Sequence, residues 1–297
     1  MRIRNPDRVK INGFEYHQLP GADGVTLNVA VGGSGTPVVL LHGFPQTHLM
    51  WRHVATKLAT EHTVICPDLR GYGASDKPAD GYAKRTMAAD IVAIAQALGH
   101  STFAVAGHDR GALVAFRVAL DHPEVVTHLL SLDVLPTLDM WDVLHGTTAA
   151  VGFHLFLMAQ PPGLAETLIA GAPDTFFGHF LDIWTKDPTA IPADIRTAYL
   201  DASRAAIPSI VADYRASATI DVTHDTEDLA AGNKLRMPVT VIQQDWGSAL
   251  GFDAAALWGA WAPDLVHQTT TAGHFLAEER PEEVVTALKD LLNRQLA

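Results

Sequence analysis

The chain has 297 residues, 48% of them hydrophobic and 18% charged, which fits a globular protein with a sizeable core and excludes a disordered one. Its formal net charge of -12 at pH 7 argues against nucleic acid or an anionic membrane as a partner. No apolar run reaches the roughly 18 residues needed to span a bilayer. The N-terminus, Met1-Arg-Ile-Arg-Asn-Pro6, is not followed by an apolar signal-peptide core, so a soluble cytoplasmic setting is expected. The single cysteine, Cys66, excludes an intramolecular disulfide and reads as a small core residue.

Taken in chain order, short apolar runs rich in β-branched residues predict strands at 25–31, 37–41, 63–66, 103–106, 128–132 and 239–242. Several are apolar at nearly every position, as expected of a sheet covered on both faces. Helical patterns over 86–98 and 111–120 lie between them. Such alternation predicts a mostly parallel sheet flanked by helices. It stops after Leu135-Pro136. The text from 137 to 227 is helical, broken at Pro161-Pro162, Pro173, Pro188 and Pro208. The expectation is therefore an α/β core formed by 1–136 and 228–297, with a helical cap inserted over 137–227.

Residues with chemical potential fall where predicted strands end. His42-Gly43-Phe44-Pro45-Gln46 follows the run at 37–41, and the Phe44 N–H is a candidate oxyanion donor. Gly107-His108-Asp109-Arg110-Gly111 lies between a strand and a helix. Small residues on both sides of a central side chain permit the strained strand-to-helix turn of a nucleophile elbow. Here the centre is Asp109, and the next N–H, that of Arg110, is the second oxyanion candidate. An ordinary turn with Asp capping the helix is the simpler alternative. Asp133 ends the next strand and could orient a histidine; Asp245, in Gln243-Gln-Asp-Trp246, is a rival for that role. His274, in Thr271-Ala-Gly-His-Phe275, is the candidate base, last in chain order as such a fold requires.

These motifs, together with Asp68-Leu-Arg-Gly-Tyr-Gly-Ala-Ser75, resemble the α/β-hydrolase superfamily and, more narrowly, the haloacetate (fluoroacetate) dehalogenases and the related epoxide hydrolases. The likeness extends to Leu132-Asp-Val-Leu-Pro136, Ala159-Gln-Pro161, Asp213-Tyr-Arg-Ala216 and Ala231-Gly-Asn-Lys234. It implies the α/β-hydrolase fold and the catalytic set Asp109, Asp133 and His274. It also implies leaving-group donors at His154 and Tyr214 and a substrate contact from Arg110. Two positions depart from the dehalogenase pattern. Leu113 stands where a second carboxylate-binding arginine is common, and Leu155 where a tryptophan follows the cap histidine. A His/Tyr pair in the cap also resembles the ring-opening pair of one epoxide hydrolase branch.

A carboxylate nucleophile suits displacement at saturated carbon, because the product is an ordinary alkyl ester that a His274-activated water then cleaves. On a carboxylic ester the same attack would give an anhydride. No zinc-type HExxH, paired cysteines, P-loop or dinucleotide fingerprint is present, so no cofactor or metal is expected. The expected partner is a small-molecule substrate; the sequence permits a homodimer without indicating one. Hydrolytic opening of a small epoxide is favoured slightly over dehalogenation of a short 2-halo acid. The intact order Asp109, Asp133, His274 speaks against a non-catalytic binding protein of the same fold.

Overall fold

The computed structural model describes residues 9–295; the N-terminal hexapeptide read above and the last two residues lie outside them. Eight strands form one sheet in the order β1-β2-β4-β3-β5-β6-β7-β8. They are β1 (Glu15–Pro20), β2 (Thr26–Gly33), β3 (Thr36–Leu41), β4 (His62–Pro67), β5 (Phe103–His108), β6 (Val126–Leu132), β7 (Val239–Gln244) and β8 (Leu265–Thr270). The strands β4, β3, β5, β6, β7 and β8 are parallel; β1 and β2 join antiparallel at one edge. The helices packed on the sheet include α1 (Arg52–Leu58), α2 (Lys84–Ala97) and α3 (Arg110–Asp121).

All six residues of β5 are buried, and so is nearly all of β6, as expected of central parallel strands covered on both faces. The sequence reading located every central strand to within a few residues. It did not name β1 or β8. Both are edge strands, largely half-buried or exposed, and carry mixed polar text (EYHQLP and LVHQTT). An edge strand need not be continuously apolar, so neither shows the run that marks the central strands.

Between β6 and β7 the chain makes seven α-helices: α4 (Thr137–Val143), α5 (Phe153–Met158), α6 (Leu164–Gly171), α7 (Pro173–Ile183), α8 (Ala193–Arg204), α9 (Ile207–Ser217) and α10 (Ile220–Ala230). The last runs past the boundary expected at 227. After β7 come α11 (Trp246–Leu250) and α12 (Ala254–Gly259); after β8 come α13 (Leu276–Glu279) and α14 (Pro281–Leu292). Among the described residues, no helix is long and apolar enough to cross a membrane.

Three buried polar clusters tie the inserted helices to the sheet. Asp213 of α9 accepts hydrogen bonds from Arg110 of α3 and from Tyr72. Asp225 and Asp228 of α10 meet Arg117 of α3. Glu278 of α13 accepts from Arg52 and Gln46 and from Tyr199 of α8.

Helix α3 starts directly under its strand because two glycines allow it. A Cβ on Gly107 would overlap the backbone of Gly111 and Ala112, and one on Gly111 the carbonyl oxygens of Leu41 and His42. Gly111→Ala is therefore expected to destabilise the protein by about 1–3 kcal/mol or more through overpacking. Gly171→Ala, with open space around its Cβ site at the end of α6, should be neutral or slightly stabilising. Denaturant unfolding of the two variants measures the contrast.

Candidate active site

Asp109 is the residue between β5 and α3, at φ 49° and ψ −119°. Positive φ is uncommon outside glycine and signals a backbone held by its surroundings. The Asp109 N–H donates to the Leu132 carbonyl, and the Asp109 carbonyl accepts from Ala112 and Leu113, so the turn is fixed from both sides. Its carboxylate is turned out of the helix. Oδ1 accepts a 2.7 Å hydrogen bond from the Phe44 N–H, and Oδ2 lies 3.8 Å from His274 Nε2. The Arg110 N–H is in the first turn of α3, where helix geometry leaves amides without intrahelical acceptors.

His274 follows β8 and is buried. Its Nδ1 is 2.7 Å from Asp133 Oδ2, and its Nε2 has no hydrogen-bond partner among the described residues. Asp133 sits just past β6, also at positive φ (52°). Besides His274, it accepts from the Gln244 N–H (2.7 Å), the Gln244 side chain (2.9 Å) and the Trp246 indole (3.2 Å). Burial disfavours its charged form, but those donors and the His274 ring outweigh burial and hold the carboxyl below its ordinary range. Burial likewise works against a protonated His274. The Asp133 hydrogen bond and the charges of Asp133, Asp109 and Glu279 overcome it and raise the imidazole above its ordinary 6.5. Asp245, the rival orienting acid, instead caps α11 by accepting from the Ser248 N–H at 3.1 Å.

A cavity of about 120 Å³ opens beside Asp109, lined also by Arg110, Asp133, His154, Tyr214 and His274. Its far wall is apolar: Leu113, Met140, Val143, Leu144, Leu155 and Phe252. Tyr214 of α9 is 2% exposed, and its hydroxyl has no partner among the described residues. Burial and then the Asp109 charge push its pKa well above 10, so it stays a donor. His154 of α5 is held between rings, stacked on Phe44 at 6.0 Å and edge-on to Tyr214 at 5.6 Å. Burial pulls its pKa down to about 3, so it is a neutral imidazole at pH 7.

The structure thus brings Asp109, Asp133, His274, Phe44, His154 and Tyr214 around one space. Arg110 also lines that space, but its Nε and Nη2 donate to the Asp213 carboxylate and to Ser217. Three participants escaped sequence reasoning. Trp184, at the end of α7, lines the cavity 4.7 Å from the His274 ring and 5.1 Å from His154. Trp246 and Gln244 hold Asp133. No local pattern marks Trp184, whereas the tryptophan next to the strand end at Gln243-Gln-Asp-Trp246 was a readable hint.

With this arrangement in view, the comparisons with known proteins are unambiguous at the level of family. A family model described as the α/β hydrolase fold matches residues 36–281, and the chain belongs to that family. It is an α/β hydrolase related to epoxide hydrolases and haloacetate dehalogenases. It is 36% identical to a fluoroacetate dehalogenase from Burkholderia sp., over 95% of this chain and 94% of that protein. It is 34% identical to a soluble epoxide hydrolase from Corynebacterium sp. (strain C12), over 92% and 96% respectively. A solved Pseudomonas aeruginosa protein, provisionally described as an epoxide hydrolase, superposes with a TM-score of 0.91 at 38% identity, covering 96% of this chain and 97% of that one.

Exchange of the two candidate orienting acids separates their roles. Asp133→Asn is expected to lower turnover by about 10²–10⁴, as loss of a triad acid does elsewhere. Asp245→Asn should leave turnover near wild type and cost at most the ~0.5–2 kcal/mol of a helix cap. Steady-state kinetics together with unfolding curves check both; the reverse ranking of rates would give the orienting role to Asp245.

Proposed function

We propose that this α/β hydrolase opens small neutral epoxides to diols through a covalent alkyl ester on Asp109. The observation that carries the reading is the division of labour between the two Asp109 oxygens. Oδ1 is held by the Phe44 N–H, and Oδ2 is turned toward the cavity and His274. In this reading Oδ2 attacks an epoxide carbon and the C–O bond breaks. The ring oxygen takes its proton from Tyr214, with a second hydrogen bond from His154. Water then attacks the Asp109 carbonyl carbon while His274 Nε2 accepts its proton. The tetrahedral oxyanion forms on Oδ1, at the Phe44 and Arg110 N–H groups. Its collapse breaks the bond from the Asp109 carbonyl carbon to Oδ2, which leaves in the diol with the proton that His274 carries, and the carboxylic acid left on Asp109 returns a proton to the Tyr214 phenolate.

The substrate follows from charge and size. The apolar far wall, with Leu113 and Leu155 in it, suits a neutral alkyl or aryl group. The cavity is slightly smaller than the ~150 Å³ cavity that accepts benzene in an engineered protein, so about six heavy atoms fit without rearrangement. A halo acid is the second reading, and Trp184 favours it. Its side chain lines the same space as His154 and Tyr214, where a departing halide needs donors, and its indole nitrogen makes no hydrogen bond among the described residues. A panel of small epoxides and haloacetates, scored for diol and halide release, distinguishes the two. Fluoride release from fluoroacetate at a rate comparable to epoxide opening would favour the second.

Four measurements test the mechanism. Asp109→Ala should abolish turnover. His274→Gln should still be alkylated but fail to hydrolyse the ester, so mass spectrometry should find substrate mass on the Asp109 peptide. In single turnovers of the wild type in labelled water, label should enter Asp109; label found only in the diol would mean direct attack by water. Tyr214→Phe should slow alkylation more than ester hydrolysis.

The pH dependence has a definite sign. His274 must be neutral to accept a proton from water, and its pKa is raised. Turnover limited by ester hydrolysis should therefore increase with pH until the imidazole is deprotonated. Asp133→Asn removes the largest raising contribution and should shift that inflection toward acid in the residual activity. An inflection that stays in place would remove Asp133 from this role.

A further inference from the structure

Three neighbouring strands end on a row of polar residues. His108 of β5 pairs with Leu132 of β6, and Leu132 with Ile242 of β7. The residues that follow are Asp109, Asp133 and Gln243, so they stand side by side where the strands close. Parallel strands lie about 4.8 Å apart, which puts the Gln243 backbone roughly 10 Å from that of Asp109, with Asp133 between them. All three line the cavity. Asp133 is used up there, because its oxygens already accept from Gln244, Trp246 and His274. Gln243 is not. The residue is 2% exposed, and its Oε1 is buried with no hydrogen-bond partner among the described residues.

The other partnerless atoms on cavity residues, His154 Nδ1, the Tyr214 hydroxyl and His274 Nε2, belong to groups that the proposed cycle uses. Gln243 has no part in that cycle. Met140, Val143, Leu144 and Phe252 of the wall offer its amide no partner. A buried amide left unpaired is costly, and the cost falls on any ligand that displaces water from it without replacing the hydrogen bond. We propose that Gln243 is a substrate-recognition residue, and that the substrate is an epoxide with a neutral hydroxyl group at the end away from the ring. A hydroxyl both donates and accepts, so it satisfies the amide whichever end it meets. A ligand of the roughly six heavy atoms that the cavity admits can meet Asp109 with its ring and Gln243 with its hydroxyl. A site that hydrogen-bonds a hydroxyl discriminates against the analogue with a methyl group in its place, whereas an apolar wall discriminates weakly between the two. The substrate class rests on the epoxide reading above; the Gln243 subsite rests on position and burial alone.

The test compares glycidol with 1,2-epoxybutane, which differ only by a hydroxyl in place of a methyl group. Their kcat/KM values are measured on the wild type, Gln243→Met and Gln243→Leu. The wild type should favour glycidol. In both variants the glycidol-to-epoxybutane ratio should fall roughly tenfold, the size of one hydrogen bond to the ligand. Comparing ratios between proteins cancels the intrinsic reactivity of the two epoxides, and damage to cavity shape would slow both together. The second variant decides if the first folds poorly. The proposal is overturned if the ratio is unchanged or rises in the variants, or if the wild type favours 1,2-epoxybutane. Two non-reacting ethers of matching shape, 2-methoxyethanol and 1-methoxypropane, separate this from a failure of the epoxide reading. A protein that opens neither epoxide refutes that reading, and the ethers then decide the subsite by NMR titration. Their affinity ratio should fall by the same factor in Gln243→Met; an unchanged ratio, or no binding of either ether to the wild type, overturns the subsite as well.

Discussion

The backbone of Asp109 is where sheet, helix and chemistry meet. At φ 49° and ψ −119° it is outside the regions an L-residue prefers, at a cost on the order of 1–3 kcal/mol. The cost is borne because β5 and α3 are both deeply buried and both packed in place, so the turn between them has no cheaper geometry. Glycines surround it for the same reason. A Cβ at Gly43 would overlap Asp109 Cβ and the His108 carbonyl, just as Cβ atoms at Gly107 and Gly111 would overlap backbone. Close approach of the β3 and β5 ends is what brings the Phe44 N–H within 2.7 Å of the carboxylate. Relaxing the turn would therefore lose the candidate oxyanion site along with the packing.

The inserted helices share an apolar core with the sheet and are also held over that turn by buried charge, which is costly in desolvation. Dehydrating an ion pair costs several kcal/mol per ion, and the pair restores it only with good geometry and further hydrogen bonds. Asp213 meets both conditions, accepting from Arg110, Tyr72 and Lys84. An apolar contact of similar area would bind the cap as well, but without fixing its register. Directional bonds to three core elements fix α9 in rotation and in translation. Tyr214, one residue on, then reaches the cavity with its hydroxyl unspent. Glu278 does comparable work at the other end. It joins Gln46, near the Phe44 donor, to Tyr199 of the cap and lies on the helix just after His274.

Local text carried the fold and the candidate site because both follow local rules. Apolar runs at 37–41 and 103–106 mark central strands, and residues that close such strands face the same rim of the sheet. That geometry is why Phe44, Asp109, Asp133 and His274 could be named from spacing and order, and why they lie together. The long-range contacts around the cavity follow no local rule. Asp213 is separated from Arg110 by 103 residues, and a sequence containing 33 acidic residues gives no sign of which one faces inward. Trp184 reaches His274 only because the segment after α7 passes beside it, with the His274 N–H donating to the Trp184 carbonyl at 2.8 Å. Arg110 shows the limit most clearly. Its place at the cavity wall was readable from the motif, but the state of its charge depends on a residue in another part of the chain.

Charge also gives the proposed cycle its direction. In the resting site His274 faces two carboxylates, Asp133 through Nδ1 and Asp109 across 3.8 Å from Nε2. Both favour the imidazolium, which cannot accept a proton from water. Alkylation turns Asp109 into a neutral ester and removes one of the two charges while leaving Asp133 in place. The imidazole pKa must then fall, by an amount set by the Asp109 interaction alone, and the ring becomes a base once the ester needs one. The histidine is therefore made a better base by the very step that creates the need for one. No conformational change is required, because the covalent step itself alters the field that the histidine senses.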